Sequence, residues 1–129
     1  MRAYLALTPK ELSELLESKS RQFSTAFILT PTFMEQNSEL DEEECEFELS
    51  LLAAKASRAK QGLAATPGYV LAADLENRQV GRSIGDEVEL LTEVLWSQVE
   101  SVLVAESEEP ELTWYANQEV ATYLPQWLA

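Results

Sequence analysis

The longest amphipathic segment of the chain is residues 39–63. It contains no proline, and its only glycine is Gly62. Apolar side chains recur in it at spacings of three and four residues, the period of a helix with one apolar stripe. A stripe of this width predicts a sheet or a second helix packed over it. Its members are Cys45, Phe47, Leu49, Leu51, Leu52, Ala53, Ala56, Ala59 and Leu63.

Charge in this segment follows the expected direction of the helix. Seven of the residues 39–48 are acidic, and Lys55, Arg58 and Lys60 follow them. Acids first and bases last is the order that the helix macrodipole favours. The acids also raise the hypothesis of a Mg²⁺ or Ca²⁺ site, but they lack the spacing of a calcium loop and point in several directions on a helix. We therefore predict a structural helix that covers a sheet, and no metal site.

Two strand-to-helix junctions share one chemistry. The string Leu-Thr-Pro follows an apolar run at residues 7–9 and again at residues 29–31. Threonine is a good N-cap residue, and proline is favoured at the first helical position. Glu11 completes a capping box with Thr8. The pattern predicts two units in which a strand is followed by a helix.

The middle of the chain is richer in strand patterns. Residues 69–75 are apolar up to Asp74, which is typical of a strand buried on both faces. Residues 76–86 contain turn-forming Asn77, Gly81 and Gly85 and are predicted to be a loop. Residues 87–96 alternate between apolar and polar side chains, which predicts a half-buried strand.

The last stretch, residues 112–129, fits two patterns. Its apolar side chains keep helical spacing, whereas Leu112–Tyr115 has strand propensity. We favour a short strand at Leu112–Tyr115, followed by a helix that is capped by Asn117 and ends near Pro125.

These elements predict a fold between α/β and α+β. It is one domain, residues 1–129, with a mixed five- or six-stranded sheet and helices on at least one face. The predicted strands are residues 2–8, 24–29, 69–75, 87–96, 101–105 and 112–115.

Composition narrows the classes of function. The chain has 129 residues, 46% of them hydrophobic, and a formal net charge of −14. Nucleic acid and anionic membrane surfaces are disfavoured, because binding them depends on lysine and arginine. From Ser83 onward there are ten acidic residues and no basic residue. Any partner should therefore be a basic or uncharged protein.

The chain contains one cysteine and no histidine. An internal disulfide and any catalytic arrangement that needs histidine are excluded, and no cofactor is indicated. We see no signal-peptide pattern and no apolar run close to the ~20 residues of a membrane-spanning helix. A cytoplasmic protein is expected.

The string L-T-W-Y-A-N-Q-E at residues 112–119 resembles an uncharacterised family of small acidic actinobacterial proteins that end near a W-Y-A-x-Q-E string. Met1–Thr8, Tyr69–Leu75 and the run from Trp96 to Val104 support the resemblance. Asn117 stands where the family pattern favours threonine or another small residue. The resemblance implies a cytoplasmic bacterial protein and no particular activity.

The same string carries our first functional hypothesis, a non-catalytic protein-interaction or regulatory module. Large aromatic side chains beside polar groups are enriched at binding hot spots. In the competing interpretation, the aromatics seal the core and the polar pair caps a helix. Homodimerisation through this surface is a third hypothesis, weakened by repulsion between acids. The candidate contact residues are Trp114, Tyr115, Gln118, Glu119 and Trp127.

The alternative hypothesis is a small-molecule-binding protein or an enzyme. Thr8, Thr30 and Asp74 each follow a predicted strand, and ligands gather beyond the carboxyl ends of neighbouring parallel strands. Against this, threonine before proline is ordinary capping chemistry, and the chain has no glycine-rich phosphate loop. We therefore lean away from an enzyme.

Overall fold

The computed structural model describes residues 1–62 and 66–129. Seven strands form one sheet in the order β5-β6-β3-β1-β4-β8-β9, and β2 and β7 form a separate two-stranded sheet. The strands are β1 Arg2–Leu7, β2 Ser20–Arg21, β3 Thr25–Ile28, β4 Gly68–Asp74, β5 Val80–Ile84, β6 Glu87–Leu90, β7 Val94–Leu95, β8 Val99–Ala105 and β9 Thr113–Ala116. The helices are α1 Pro9–Ser18, α2 Pro31–Gln36, α3 Glu42–Gln61 and α4 Val120–Leu128.

The centre of the sheet is formed by β1 and β4, which are buried on both faces as their apolar runs predicted. They pair antiparallel from Arg2 opposite Asp74 to Leu7 opposite Tyr69. After β1, helix α1 ends at Lys19 in the left-handed conformation, with φ 67°. The chain doubles back there and re-enters the sheet at the end where β1 leaves it. Strand β3 is therefore antiparallel to β1.

Helices cover both faces of the sheet. Helix α3, with α2 beside it, packs on one face against Tyr4, Phe27 and Val70. Helices α1 and α4 lie on the opposite face, over Leu5, Leu71 and their neighbours. The predicted α/β-to-α+β class with helices on at least one face is confirmed.

The number and direction of the strands differ from the expected mixed sheet of five or six strands. Every observed pair in the main sheet is antiparallel. Strands β3 and β4 do run parallel, joined across α3, but β1 lies between them. The alternation of strands and helices correctly indicated the parallel connection from β3 through α3 to β4. It could not show that β1 lies between these two strands.

Strand β5, which the sequence analysis did not predict, occupies a stretch that we predicted to be a loop. Its polar composition suits an exposed sheet edge, where burial gives no apolar signal. Gly85 adopts φ 64° in the turn before β6, so that Ile84 comes to lie opposite Glu87. The predicted strand 87–96 is also divided, because β6 ends at Leu90 and β7 begins at Val94.

The predicted threonine caps of α1 and α2 are confirmed. The hydroxyl oxygen of Thr8 accepts a hydrogen bond from the Glu11 backbone N–H at 3.1 Å, and Glu11 completes the capping box. Thr30 accepts one from the Phe33 N–H, also at 3.1 Å. Proline occupies the start of both helices, where no intrahelical N–H is required. The predicted cap at Asn117 is wrong, because Glu119 precedes α4 and the Asn117 side chain bonds to the Val99 carbonyl instead.

Helix α3 is shorter at its start than predicted. It begins after the N-cap residue Asp41, which forms a capping box with Glu44. Gly62 ends it in the left-handed conformation, with φ 74°. The predicted end at residue 63 lies outside the described residues.

The C-terminal stretch contains both predicted elements, the strand β9 and the helix α4. The predicted helix end near Pro125 is wrong, because α4 continues to Leu128. Proline removes one intrahelical hydrogen bond. Two residues after Pro125, Trp127 packs against the hydrophobic core of the α1 and α4 face, which favours continuation of the helix.

Candidate functional site

Strand β9 is the outermost strand of the sheet on the β8 side. Trp114 lies opposite Leu103 of β8, and Tyr115 lies opposite Val102. Successive side chains of a strand point to opposite faces. Trp114 therefore lies on the α3 face, where 55% of its surface is exposed. Tyr115 lies on the α4 face and is half-buried.

The outer backbone edge of β9 faces away from β8. The Ala116 N–H donates to Oε1 of Glu119 at 2.9 Å, so Ala116 directs its N–H away from the ladder. Backbone groups alternate along an antiparallel strand. The N–H and C=O of Trp114, two residues earlier, therefore also point outward. This edge can accept a further strand.

Tyr115 and Trp127 belong to a four-membered aromatic cluster that fastens α4 to the sheet. The ring centroids of Tyr115 and Trp127 are 5.0 Å apart and nearly perpendicular. Tyr123 lies 4.8 Å from Tyr115, and Tyr69 lies 5.7 Å from Trp127. Such pairs contribute ~0.5–1.5 kcal/mol each beyond their buried area. For these two residues the interpretation of a sealed core fits best.

The polar residues of the C-terminal string have different roles. Gln118 is exposed. Glu119 is half-buried and holds the Ala116 N–H, as described above. Asn117 Nδ2 donates to the Val99 carbonyl oxygen at 2.9 Å and so ties this turn to β8. Of the five predicted contact residues, only Trp114 and Gln118 are largely exposed.

The loop between β8 and β9 is strongly acidic. It carries glutamates at positions 106, 108, 109 and 111, all exposed. Burial and the negative charge of Glu106 raise the pKa of the Tyr115 phenol above its ordinary value. Strand β9 is thus preceded by four carboxylates without an intervening base.

Thr8, Thr30 and Asp74 are not brought together. Thr8 follows Leu7 at one end of β1, whereas Asp74 lies opposite Arg2 at the other end. Thr30 follows β3 and so lies at the Asp74 end. The shared strand-end site fails because β1 runs opposite to β3 and β4. Both threonine hydroxyls are used as N-caps.

The Asp74 end of the sheet contains a network of paired polar groups. Arg2 Nε donates to Asp74 Oδ1 at 2.9 Å, and Arg2 Nη2 also contacts Glu100. The Tyr4 hydroxyl donates to Glu46 Oε2 at 3.1 Å. Burial, and then the Glu46 carboxylate, raise the pKa of Tyr4 to about 12. The raised pKa keeps the phenol protonated at neutral pH, where it can donate the hydrogen bond to Glu46.

The acidic start of α3 forms the N-terminal cap of this helix. Asp41 and Glu44 form the capping box, with Glu42 and Glu43 in the first turn. Within residues 1–62 and 66–129, no group of three or more metal-ligating side chains comes together. Cys45 is buried, and burial raises the pKa of its thiol.

Sequence reasoning missed a cleft of about 680 Å³ between α3 and the β8–β9 loop. On α3 its lining residues recur at spacings of three and four, starting at Leu51, so they form a second helical stripe. Residues 107–110 and Ala105 form the other side. The sequence does contain a feature that could have indicated this cleft. Phe47 and Leu51 make the apolar stripe of the predicted helix wider than contact with one sheet requires. The cleft-facing residues of α3 are Leu51, Ala54, Lys55, Arg58, Ala59 and Gly62.

These features define a small, acidic protein with an antiparallel sheet between two helical layers and an open edge at β9. Among its described helices, none combines the length and the apolar character needed to cross a bilayer. The chain belongs to a family of unknown function, DUF6912, whose model matches residues 1–111. No curated protein and no solved structure matches the chain significantly.

The match confirms the resemblance to an uncharacterised family. It ends at Glu111, before β9 and α4. The actinobacterial origin and the W-Y-A-x-Q-E string therefore stay predictions. The candidate contact residues also lie in the part of the chain that the family model does not match.

Proposed function

We propose that this protein is a non-catalytic interaction module of the bacterial cytoplasm. Its contact surface, here called the β9 surface, consists of Trp114, Gln118, the outer backbone edge of β9 and the acidic loop 106–111. The observation that carries the proposal is Trp114, more than half exposed on the outermost strand of the sheet. The partner adds an extended segment to this edge.

Covering Trp114 gives a useful amount of binding free energy. A tryptophan side chain buries up to ~250 Å², and at ~25 cal/mol per Å² the exposed half is worth about 3 kcal/mol. Main-chain hydrogen bonds to the outward N–H and C=O groups of β9 fix the register of the added segment. An exposed tryptophan on an unprotected edge is otherwise a risk for aggregation.

Charge selects the partner. The four carboxylates of loop 106–111 favour a segment that carries lysine or arginine, and they disfavour acidic segments. Acidic charge also opposes the pairing of two β9 edges from two copies of the chain. We therefore favour a basic protein partner over a homodimer.

The remaining predicted contact residues support this surface from behind. Tyr115 and Trp127 anchor α4, and Glu119 fixes the end of β9 through the Ala116 N–H. Their substitution should reduce binding through loss of local structure, whereas substitution of Trp114 removes a direct contact.

The test compares two variants in affinity capture from a bacterial lysate. Trp114→Ala removes the proposed contact. Leu91→Ala removes a similarly exposed side chain, 56% accessible, which follows β6 on the opposite side of the sheet from β9. The proposal expects a basic protein that is captured by the unmodified chain and by Leu91→Ala but lost with Trp114→Ala. Moderate salt should weaken its capture.

Equal capture by all three proteins would contradict the proposal. A captured set that contains only acidic proteins would do the same. Light scattering after size-exclusion chromatography tests the homodimer, since a dimer that Trp114→Ala converts to a monomer would show that a second copy occupies the β9 surface.

A further inference from the structure

We propose that the cleft between α3 and the β8–β9 loop is a binding site for a small carboxylate with an apolar body, such as a medium-chain fatty acid. This site shares the loop 106–111 with the β9 surface, but it contains neither Trp114 nor the edge of β9. It is also not at the strand ends that the sequence suggested. Its volume of about 680 Å³ lies within the range of ~300–1,000 Å³ typical of small-molecule sites.

The walls of the cleft are largely apolar. Leu51, Ala54 and Ala59 line it from α3, and Ala105 and Pro110 line it from the sheet and the loop. Small side chains on both sides leave the space between them open. Such a lining favours a ligand with an apolar chain or ring.

Two cations face this apolar space in a protein of charge −14. In the described part of the chain, Arg2, Arg21, Lys60 and Arg78 form ion pairs with carboxylates. Lys55 and Arg58, three residues apart on α3, form none with any described residue.

Arg58 is held in place while part of its guanidinium stays available. Its Nε donates to the Thr66 carbonyl oxygen at 3.1 Å. Its Nη2 donates to the carbonyl oxygens of Ala105, at 3.1 Å, and of Ser107. Nη1 has no partner among the described residues, nor has the Lys55 ammonium. A fixed guanidinium beside an exposed ammonium is suited to a carboxylate.

The opposite wall limits the charge of the ligand. Glu108 and Glu109 also line the cleft. Their carboxylates repel a second negative charge, so phosphates, nucleotides and dicarboxylates are disfavoured. The combination selects one carboxylate attached to an apolar body.

The experiment is calorimetric titration of the full chain with four probes. Octanoate has both proposed features, acetate lacks the apolar chain, octylamine reverses the charge, and octanedioate adds a second carboxylate. The proposal expects octanoate to bind more tightly than the other three. Absence of octanoate binding at millimolar concentration, or octylamine binding as tightly, would overturn it.

Variants locate the site. Lys55→Gln should weaken octanoate binding about tenfold, the worth of a charge-assisted hydrogen bond. Lys10→Gln makes the same charge change on α1, on the other face, and should have no effect. Ala59→Phe places a ring in the cleft at an exposed helical position and should abolish binding without unfolding the chain.

Equal weakening by Lys55→Gln and Lys10→Gln would refute the assignment to this cleft, as would undiminished binding by Ala59→Phe. Trp114→Ala should bind octanoate normally. The outcome at the cleft is therefore distinguishable from the outcome at the β9 surface.

Discussion

The buried hydroxyl of Ser57 connects α3 to two strands of the sheet. It is fully buried on α3, and its Oγ donates to the Leu7 carbonyl oxygen at 2.7 Å. The same oxygen accepts a hydrogen bond from the Tyr69 backbone N–H at 2.9 Å. One side chain thus connects α3 to the end of β1 and to the start of β4.

Replacing Ser57 with alanine leaves the Tyr69 N–H and the Leu7 carbonyl without this partner in a dry environment. A buried unsatisfied backbone group costs ~1–3 kcal/mol. Alanine regains about 0.5 kcal/mol through its better helix propensity. Because two such groups are affected, we expect the free energy of unfolding to fall by roughly 1.5–5.5 kcal/mol, as measured by urea unfolding followed by circular dichroism.

Ser50→Ala is the matched control. Ser50 is also buried on α3, but its Oγ donates only to the Phe47 carbonyl oxygen within the same helix, at 2.6 Å. Its removal should change stability by less than about 0.5 kcal/mol, or increase it. If both alanine variants lost equal stability, the connection between α3 and the two strands would not be the cause, and the reasoning would fail.

Three further predictions concern other elements. Gly68→Ala should lower stability by more than about 2 kcal/mol in urea unfolding, because a Cβ there would lie 2.5 Å from the Ala54 carbonyl oxygen; stability within 0.5 kcal/mol of the unmodified chain would contradict this. The absorbance titration of the unmodified chain minus that of Tyr4→Phe should have its midpoint near 12 instead of the ordinary 10.0. Because the raised pKa belongs to the folded state, stability should fall as pH rises through this window, and a midpoint near 10.0 would refute the burial argument. Finally, Trp114→Pro should be about as stable as Trp114→Ala, since its N–H points outward, whereas Tyr115→Pro should be about 1–3 kcal/mol less stable than Tyr115→Ala in the same assay; equal costs at both positions would show that the outward edge is misassigned.

Local patterns predicted most elements of the fold because their causes are local. The threonine caps before Pro9 and Pro31 depend on residues within one helical turn. The apolar runs of β1 and β4 report burial on both faces directly. Strand β5 was missed because an exposed edge strand needs no apolar residues. Its signal is the left-handed Gly85 in the turn that follows.

Strand direction is a property that local patterns do not contain. The expected site at Thr8, Thr30 and Asp74 required three neighbouring parallel strands. The order β3-β1-β4 places an oppositely directed strand between the other two. The chain reversal at Lys19 decides this, and a left-handed lysine leaves no sequence signal that distinguishes it from an ordinary helix end.

The cleft and the exposed tryptophan have one origin in the width of the sheet. Helix α3 packs mainly over β1, β3 and β4, near the centre. Strand β8 lies at the margin of this helix, and β9 extends the sheet beyond it. Leu103 of β8 is therefore only half-buried, Trp114 of β9 is exposed, and the flank of α3 faces open space toward Ala105.

When a sheet is wider than the helix that covers it, the uncovered strands must be protected from association in another way. Here the acidic loop 106–111 borders both the cleft and the start of β9, and negative charge disfavours the association of identical edges. Lys55 and Arg58 line the cleft opposite this acidic loop. The extension of the sheet thus produces the two adjacent surfaces for which we propose different ligands, a basic extended segment at one and a small apolar carboxylate at the other.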